Sequence, residues 1–201
     1  PLSRRQRQMC IRDRLLSDED SIFVRFSLGE VLQLVGRWDD AKALYLETIA
    51  LANDFDRRQI EARCYAELGD LLRKQGNYSE ASQQLKAAQA IFVVLNDQAG
   101  LAKIQHVSGT LAAQQGDYDT AEARYLECIA IRRNLGDQTG VADMLNNLGI
   151  VAEYQGDNDK AKLLYEEGLS IQQDLGHKWG VSLILSNLGY FYLKRLEKKL
   201  K

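Results

Sequence analysis

Apolar residues recur at helical spacing in nine successive windows, each closed by a short polar or glycine-bearing break, and the whole pattern repeats every forty residues. The spacing predicts first helices near 17–34, 57–74, 97–114, 137–154 and 177–195. Second helices are expected near 39–54, 79–94, 119–134 and 159–174. Self-similarity at this period means a stack of supersecondary units rather than one globular core, so the fold class expected is all-α.

The columns of the repeat carry the detail. Gly29, Gly69, Gly109, Gly149 and Gly189 fall in one column, and Leu28, Leu68, Leu148 and Leu188 precede four of them. A second glycine follows at Gly36, Gly76, Gly116 and Gly156, then Trp38, Tyr78 and Tyr118, with Asn158 breaking that column. Alanine recurs at Ala41, Ala81, Ala121 and Ala161, a large side chain at Tyr45, Leu85, Tyr125 and Tyr165, and a small one at Thr48, Ala88, Cys128 and Gly168. The second glycine reads as the turn, and Asp39, Ser79, Asp119 or Asp159 as the cap that follows it. Glycine inside a helix costs about 1 kcal/mol against alanine. Its reuse in the first column therefore points to an approach too close for a Cβ, with the alanine column as the matching surface. Leu51, Ile91, Ile131 and Ile171, then Phe55, Leu95, Leu135 and Leu175, are expected to bury the second helix against the next repeat.

Leu148-Gly149, Gly156, Ala161, Tyr165 and Gly168 resemble, in spacing and residue type, the signature of the tetratricopeptide repeat family. The likeness covers about 22–195 and implies a right-handed α-solenoid of antiparallel helix pairs. Its repeats are 22–61, 62–101, 102–141 and 142–181, with a partial one at 182–201. Two departures stand out. The family's first-helix tryptophan column holds Arg25, Tyr65, Gln105, Leu145 and Leu185, and its closing proline is absent, Pro1 being the single proline. Long-period arrays of this kind look like those of kinesin light chains and large bacterial signalling proteins. The stretch Leu135-Gly136-Asp137-Gln138-Thr139-Gly140-Val141-Ala142 is similar to arrays attached to bacterial ATP-driven transcription regulators and nucleotide cyclases.

Residues 1–14 stand outside the pattern. Arg4 to Asp13 back-translates as CGT CGG CAG CGT CAG ATG TGT ATA AGA GAC, which resembles a transposon adapter of sequencing libraries, so this segment is expected to be non-native. The native chain is then expected to extend upstream of Leu15; the alternative is a natural basic arm for nucleic acid or a membrane surface. Without its five arginines and Asp13, the 26 basic and 28 acidic residues become 21 and 27, a net charge of −6. An acidic array does not suit a nucleic-acid sleeve. No apolar run reaches the roughly 18 residues of a membrane span. The expected compartment is cytoplasmic, in keeping with Cys64 and Cys128 as unpaired thiols.

The sequence contains no G-x-x-x-x-G-K-[ST] loop, G-x-S-x-G elbow, H-E-x-x-H or C-x-x-C pair. His106 and His177 fall in different columns. Asp143 and Glu153 are ten residues apart on one helix, roughly 15 Å by axial rise, too far for paired-carboxylate hydrolysis. Neither an enzyme nor a cofactor or metal site is expected.

The family likeness instead implies a concave groove lined by first helices. Its inward columns are Arg63, Lys103 and Asp143; Ala66, His106, Asn146 and Ser186; Asp70, Thr110, Ile150 and Tyr190; and Arg73, Ala113 and Glu153, with Lys74, Gln114, Tyr154 and Lys194 at the edge. Arg63, Arg73, Lys74 and Lys103 make one end basic, while Asn146, Ile150, Tyr154 and Tyr190 make the other amide-rich and aromatic. A peptide with an acidic end and an apolar or aromatic end complements both. Asn146, Asn147 and Asn187 are placed to clamp a peptide backbone, or, for Asn147 and Asn187, to bond a neighbouring helix. Tyr125 and Tyr165 belong to the inter-helix core.

The expected function is a non-catalytic protein- or peptide-binding array, the sensing or partner-docking arm of a larger bacterial signalling or transcription-regulatory protein. The alternatives are a freestanding scaffold and a fragment of a cyclase, kinase or ATPase. Phe23 and Phe26 look like an uncovered face, so self-association through solenoid ends is expected.

Overall fold

The computed structural model describes residues 18–200, with side chains from 21 to 197; the expectations about 1–14 lie outside them. The described residues form α1 (Asp18–Leu34), α2 (Trp38–Asp54), α3 (Arg58–Lys74), α4 (Tyr78–Val94), α5 (Gln98–Gln114), α6 (Tyr118–Asn134), α7 (Gln138–Gln155), α8 (Asn158–Asp174) and α9 (Lys178–Leu200). No strand occurs among them. The chain divides into two compact units, one ending at Gly100 and the other beginning at Leu101, so the division falls inside α5. In the first unit α1, α2, α3 and α4 pack in succession; in the second, α6, α7, α8 and α9 do. The fold is all-α, built of helical hairpins.

Helix starts recur every twenty residues because both turns of each repeat are the same turn. The backbone N–H groups of residues 37, 57, 77, 97, 117, 137, 157 and 177 each donate to the carbonyl five residues earlier, the bond that closes a helix through a left-handed residue. That residue is Gly36, Gly76, Gly116, Gly136, Gly156 or Gly176, and at the two remaining turns Asp56 or Asn96, with φ of 54° and 51°. Asparagine and aspartate tolerate this region better than other side chains, which is why the second turn column does not read as glycine in the sequence.

Capping differs from the expectation. The caps are Asp97, Asp117, Asp137 and Asp157, whose carboxylates accept from the N–H groups of Gly100, Thr120, Gly140 and Lys160 at 2.8, 3.1, 2.9 and 3.1 Å. The cap follows the left-handed residue directly. Asp39, Ser79, Asp119 and Asp159 fall two positions later, inside the first turn, where a carboxylate meets the helix dipole rather than capping it.

The first glycine column is a row of notches, filled by the large column rather than by alanine. A Cβ on Gly29, Gly109 or Gly149 would lie 2.5, 2.7 or 2.5 Å from the ring of Tyr45, Tyr125 or Tyr165, and one on Gly69 would lie 2.8 Å from Leu85. Burying such a side chain is worth roughly 1.5–3 kcal/mol, more than the ~1 kcal/mol the glycine costs its helix. A second set of notches, unread in the sequence, receives Phe92 at Gly100, Arg132 at Gly140 and Gln172 at Gly180. Phe55, Leu95, Leu135 and Leu175, expected to be buried, are 41–49% exposed. Each is a helix C-cap, where the chain turns away and leaves the side chain on the rim.

Candidate functional site

In the first unit, the expected basic end is largely offset by carboxylates beside it. Asp70 accepts from Arg73 at 2.7 and 3.0 Å and pairs with Lys74 at 2.8 Å. Burial alone would raise the Asp70 carboxyl, yet the hydrogen bonds from Lys74 and Arg73 together hold it below the ordinary value. Arg63 lies 4.3 Å over the Phe26 ring and 3.9 Å from Glu30. Phe26, expected on an uncovered face, is buried, whereas Phe23 is exposed. Cys64 is buried, which pushes its thiol up to about 12 and keeps it protonated at neutral pH.

In the second unit the expected residues separate into packing and surface groups. Asn146 is only 4% exposed and accepts from Asn187 Nδ2 at 2.8 Å, so this amide pair ties α7 to α9. Asp143 accepts from Gln172 Nε2 at 3.1 Å, and Gln172 Oε1 lies 2.8 Å from His177 Nδ1. Lys103 and His106 are half-buried and Ser186 is exposed. Cys128 is buried and donates to the Ala102 carbonyl at 3.2 Å. Among the described residues, no group of three or more His, Cys, Asp or Glu is arranged to hold a metal ion.

Thr110, Gln114, Asn147, Ile150, Glu153, Tyr154, Asn187 and Tyr190 do come together, around two adjoining pockets. One, of about 430 Å³, lies between α5 and α7: Thr110, Ala113 and Gln114 face Asn147, Ile150, Val151 and Tyr154, with Tyr118 and Tyr125 completing it. The other, of about 210 Å³, lies between α7 and α9: Ile150, Glu153 and Tyr154 face Asn187, Tyr190 and Lys194 above Tyr165. We call them the Tyr118 pocket and the Lys194 pocket. They are the same site one repeat apart, since 110, 113, 114, 125 and 147 correspond to 150, 153, 154, 165 and 187.

Beneath each pocket lies a core tyrosine whose hydroxyl bonds a lining side chain. Tyr125 donates to Thr110 Oγ1 at 3.1 Å, and Thr110 in turn donates to the His106 carbonyl at 3.0 Å. Tyr165 donates to Glu153 Oε1 at 2.5 Å. Burial, then the hydrogen bond to Glu153 and its charge, push the Tyr165 phenol far above its ordinary value, so it remains a donor. Both rings are core residues, as expected, 3% and 0% exposed, and each hydroxyl bonds a side chain that lines the groove, a second role invisible in a column of large side chains. Tyr154 stacks on Tyr118, with centroids 5.3 Å apart and planes 9° from parallel. Lys194 Nζ lies 6.0 Å from the Tyr154 centroid and 5.7 Å from that of Tyr190.

The tetratricopeptide repeat model matches residues 21–92 and 100–174, most of the chain. The chain belongs to the tetratricopeptide repeat family. No curated protein matches this tetratricopeptide array. Among solved structures it is similar to BtubC from P. vanneervenii, with a TM-score of 0.74 and 20% identity over 85% of this chain and 72% of that one. It is also similar to a STAND signal-transduction ATPase with a tetratricopeptide repeat sensor from Pyrococcus horikoshii, with a TM-score of 0.79 and 19% identity over 88% of this chain and 27% of that one. A third likeness is to the Rap conjugation gene regulator of the plasmid pLS20 in complex with the Phr* peptide, with a TM-score of 0.77 and 15% identity over 90% of this chain and 49% of that one. The array thus spans about half or less of the ATPase and Rap chains, and at these identities the likeness is one of fold. No described helix is long and apolar enough to cross a membrane.

Proposed function

We propose that this tetratricopeptide array is a non-catalytic peptide-binding module, the sensing or partner-docking arm of a larger bacterial signalling protein that works in the cytoplasm. The observation that carries the reading is the pair of adjoining pockets, whose walls include the exposed rings of Tyr154 and Tyr190 and whose polar groups, Thr110 and Glu153, are held by tyrosine hydroxyls beneath. Concave sites of this mixed character, apolar walls with a few fixed polar groups, suit a peptide. The Rap relative carries a peptide, Phr*, on a similar fold. The STAND relative has its repeats as a sensor within a longer chain.

The test is selection from a random peptide library displayed on phage. Wild-type chain is expected to enrich a defined set of peptides. The Tyr154→Ala, Tyr190→Ala variant, with unchanged helical circular dichroism, is expected to lose them. Equal retention by the variant would sink the groove assignment.

A further inference from the structure

Resting on the peptide-binding reading, we propose that the groove of the second unit is a two-anchor site with a fixed polarity. The Tyr118 pocket takes a neutral apolar side chain, and the Lys194 pocket takes an anchor flanked by a carboxylate. The ligand is a peptide segment carrying both, one repeat apart.

The argument starts from the repeat. The two pockets are built from equivalent positions and share Ile150 and Tyr154 as their common wall, so one ligand side chain in each is the natural occupancy. In charge they differ at two columns, 114, 154, 194, which reads Gln, Tyr, Lys, and 113, 153, which reads Ala, Glu. Around the Tyr118 pocket the first column supplies Gln114 and Tyr154, neither charged. Around the Lys194 pocket it supplies Tyr154 and Lys194. The ammonium of Lys194 is held between two ring faces, and no carboxylate pairs with it among the described residues. Cation–π contact holds an ammonium in place without cancelling its charge, so the pocket is complementary to an anion.

Glu153 decides what kind of anion. Its Oε1 is engaged by the Tyr165 hydroxyl, and the carboxylate retains capacity to accept a further hydrogen bond. A peptide supplies both parts from adjacent atoms, a side-chain carboxylate for Lys194 and a backbone N–H for Glu153. The 27 acidic against 21 basic residues of 15–201 repel a polyanion as a whole, whereas a peptide with a single carboxylate meets Lys194 locally. The observations therefore favour a peptide over RNA. Neighbouring helix axes stand roughly 10 Å apart. Anchors one step apart are then about three residues apart in an extended peptide at ~3.3 Å per residue, or about seven apart in a helical one at ~1.5 Å.

The test pans the same random library on three chains of native circular dichroism: wild type, Lys194→Glu and Gln114→Lys. The wild type is expected to enrich peptides with two apolar anchors at one of those separations and Asp or Glu beside one anchor. A synthetic copy of the best peptide is expected to bind Lys194→Glu about tenfold more weakly, as loss of a charge-assisted contact implies. Exchanging its acidic residue for lysine should reverse that preference, and Gln114→Lys should enrich acidic residues beside both anchors. Single-anchor peptides, or affinity unchanged in Lys194→Glu, would overturn the two-anchor polarity while leaving peptide binding intact. If wild type enriches no peptide at all, the peptide-binding reading falls and this inference with it.

Discussion

Gly149 and Tyr165 fit as notch and knob: a Cβ at 149 would sit 2.5 Å from Tyr165 Cε1, closer than any real contact. Gly149→Ala is therefore expected to destabilise the second unit by about 1–3 kcal/mol through overpacking, and Tyr165→Ala by about 3–5 kcal/mol through the cavity left. Combined, they should be strongly non-additive. With the ring gone, alanine at 149 brings its helix-propensity gain of about 1 kcal/mol. Gly189 is the control: nothing lies within 4 Å of its Cβ position, so Gly189→Ala should stabilise α9. Urea titration of the four variants measures all of this, and additive behaviour of the 149–165 pair would refute the fit.

Asn146→Ala is expected to act on stability before it acts on ligand. The substitution removes a buried acceptor and strands the Asn187 amide, at a cost of roughly 1–3 kcal/mol. Denaturation midpoints of Asn146→Ala and Asn147→Ala should separate clearly, since Asn147 lines the Tyr118 pocket and is only half-buried.

Two half-buried carboxylates, Asp70 and Asp143, should respond to pH in opposite senses. Asp70 has a folded pKa below the ordinary 3.8. Its stabilisation is complete above that ordinary value and is lost as pH falls through the lower folded value. Asp143 is raised above 3.8 by burial. Its ionised form costs stability above the folded pKa, and that cost is relieved as pH falls toward 3.8. At neutral pH, Asp70→Asn should therefore lower the midpoint and Asp143→Asn raise it. Both differences should shrink in acid, and urea midpoints between pH 7 and pH 3 are the check.

α1 exposes Val24, Leu28 and Val31, whereas their counterparts one repeat later, Cys64, Leu68 and Leu71, are buried. Self-association that rises with concentration is the expected outcome, suppressed by Val24→Glu with Val31→Lys. Sedimentation equilibrium measures it, and a strictly monomeric wild type at high concentration would contradict it.

The period, the helix bounds and the core role of Tyr45, Leu85, Tyr125 and Tyr165 were legible because equal helices and equal turns keep each column in phase. The caps were misread by two positions because aspartate recurs on both sides of the true boundary, at 117 and 119 and again at 157 and 159. The second row of notches was hidden by its occupants: Phe92, Arg132 and Gln172 share a place but no chemistry, and Asp20 and Ile60 break the glycine column. At the site, residue type announced positive charge at Arg63, Arg73 and Lys74; the Asp70 pairing lies at helical i,i+3 and i,i+4 spacing and was there to be read, but only three dimensions bring Glu30 to Arg63. The pockets themselves were half visible. Ile150, Tyr154 and Tyr190 carried an apolar and aromatic signal, whereas Tyr125 and Tyr165 beneath them did not, since a column alike in size says nothing about what a hydroxyl bonds.

Leu85 occupies the Gly69 notch without a hydroxyl, so closing the hairpin requires bulk alone. The phenol oxygen at Tyr125 and Tyr165 is thus a detachable attribute. Tyrosine-to-phenylalanine exchange at these two positions releases Thr110 or Glu153 in the pocket above while the hairpin beneath stays shut. An array assembled this way can change its vocabulary one repeat at a time, without renegotiating its architecture.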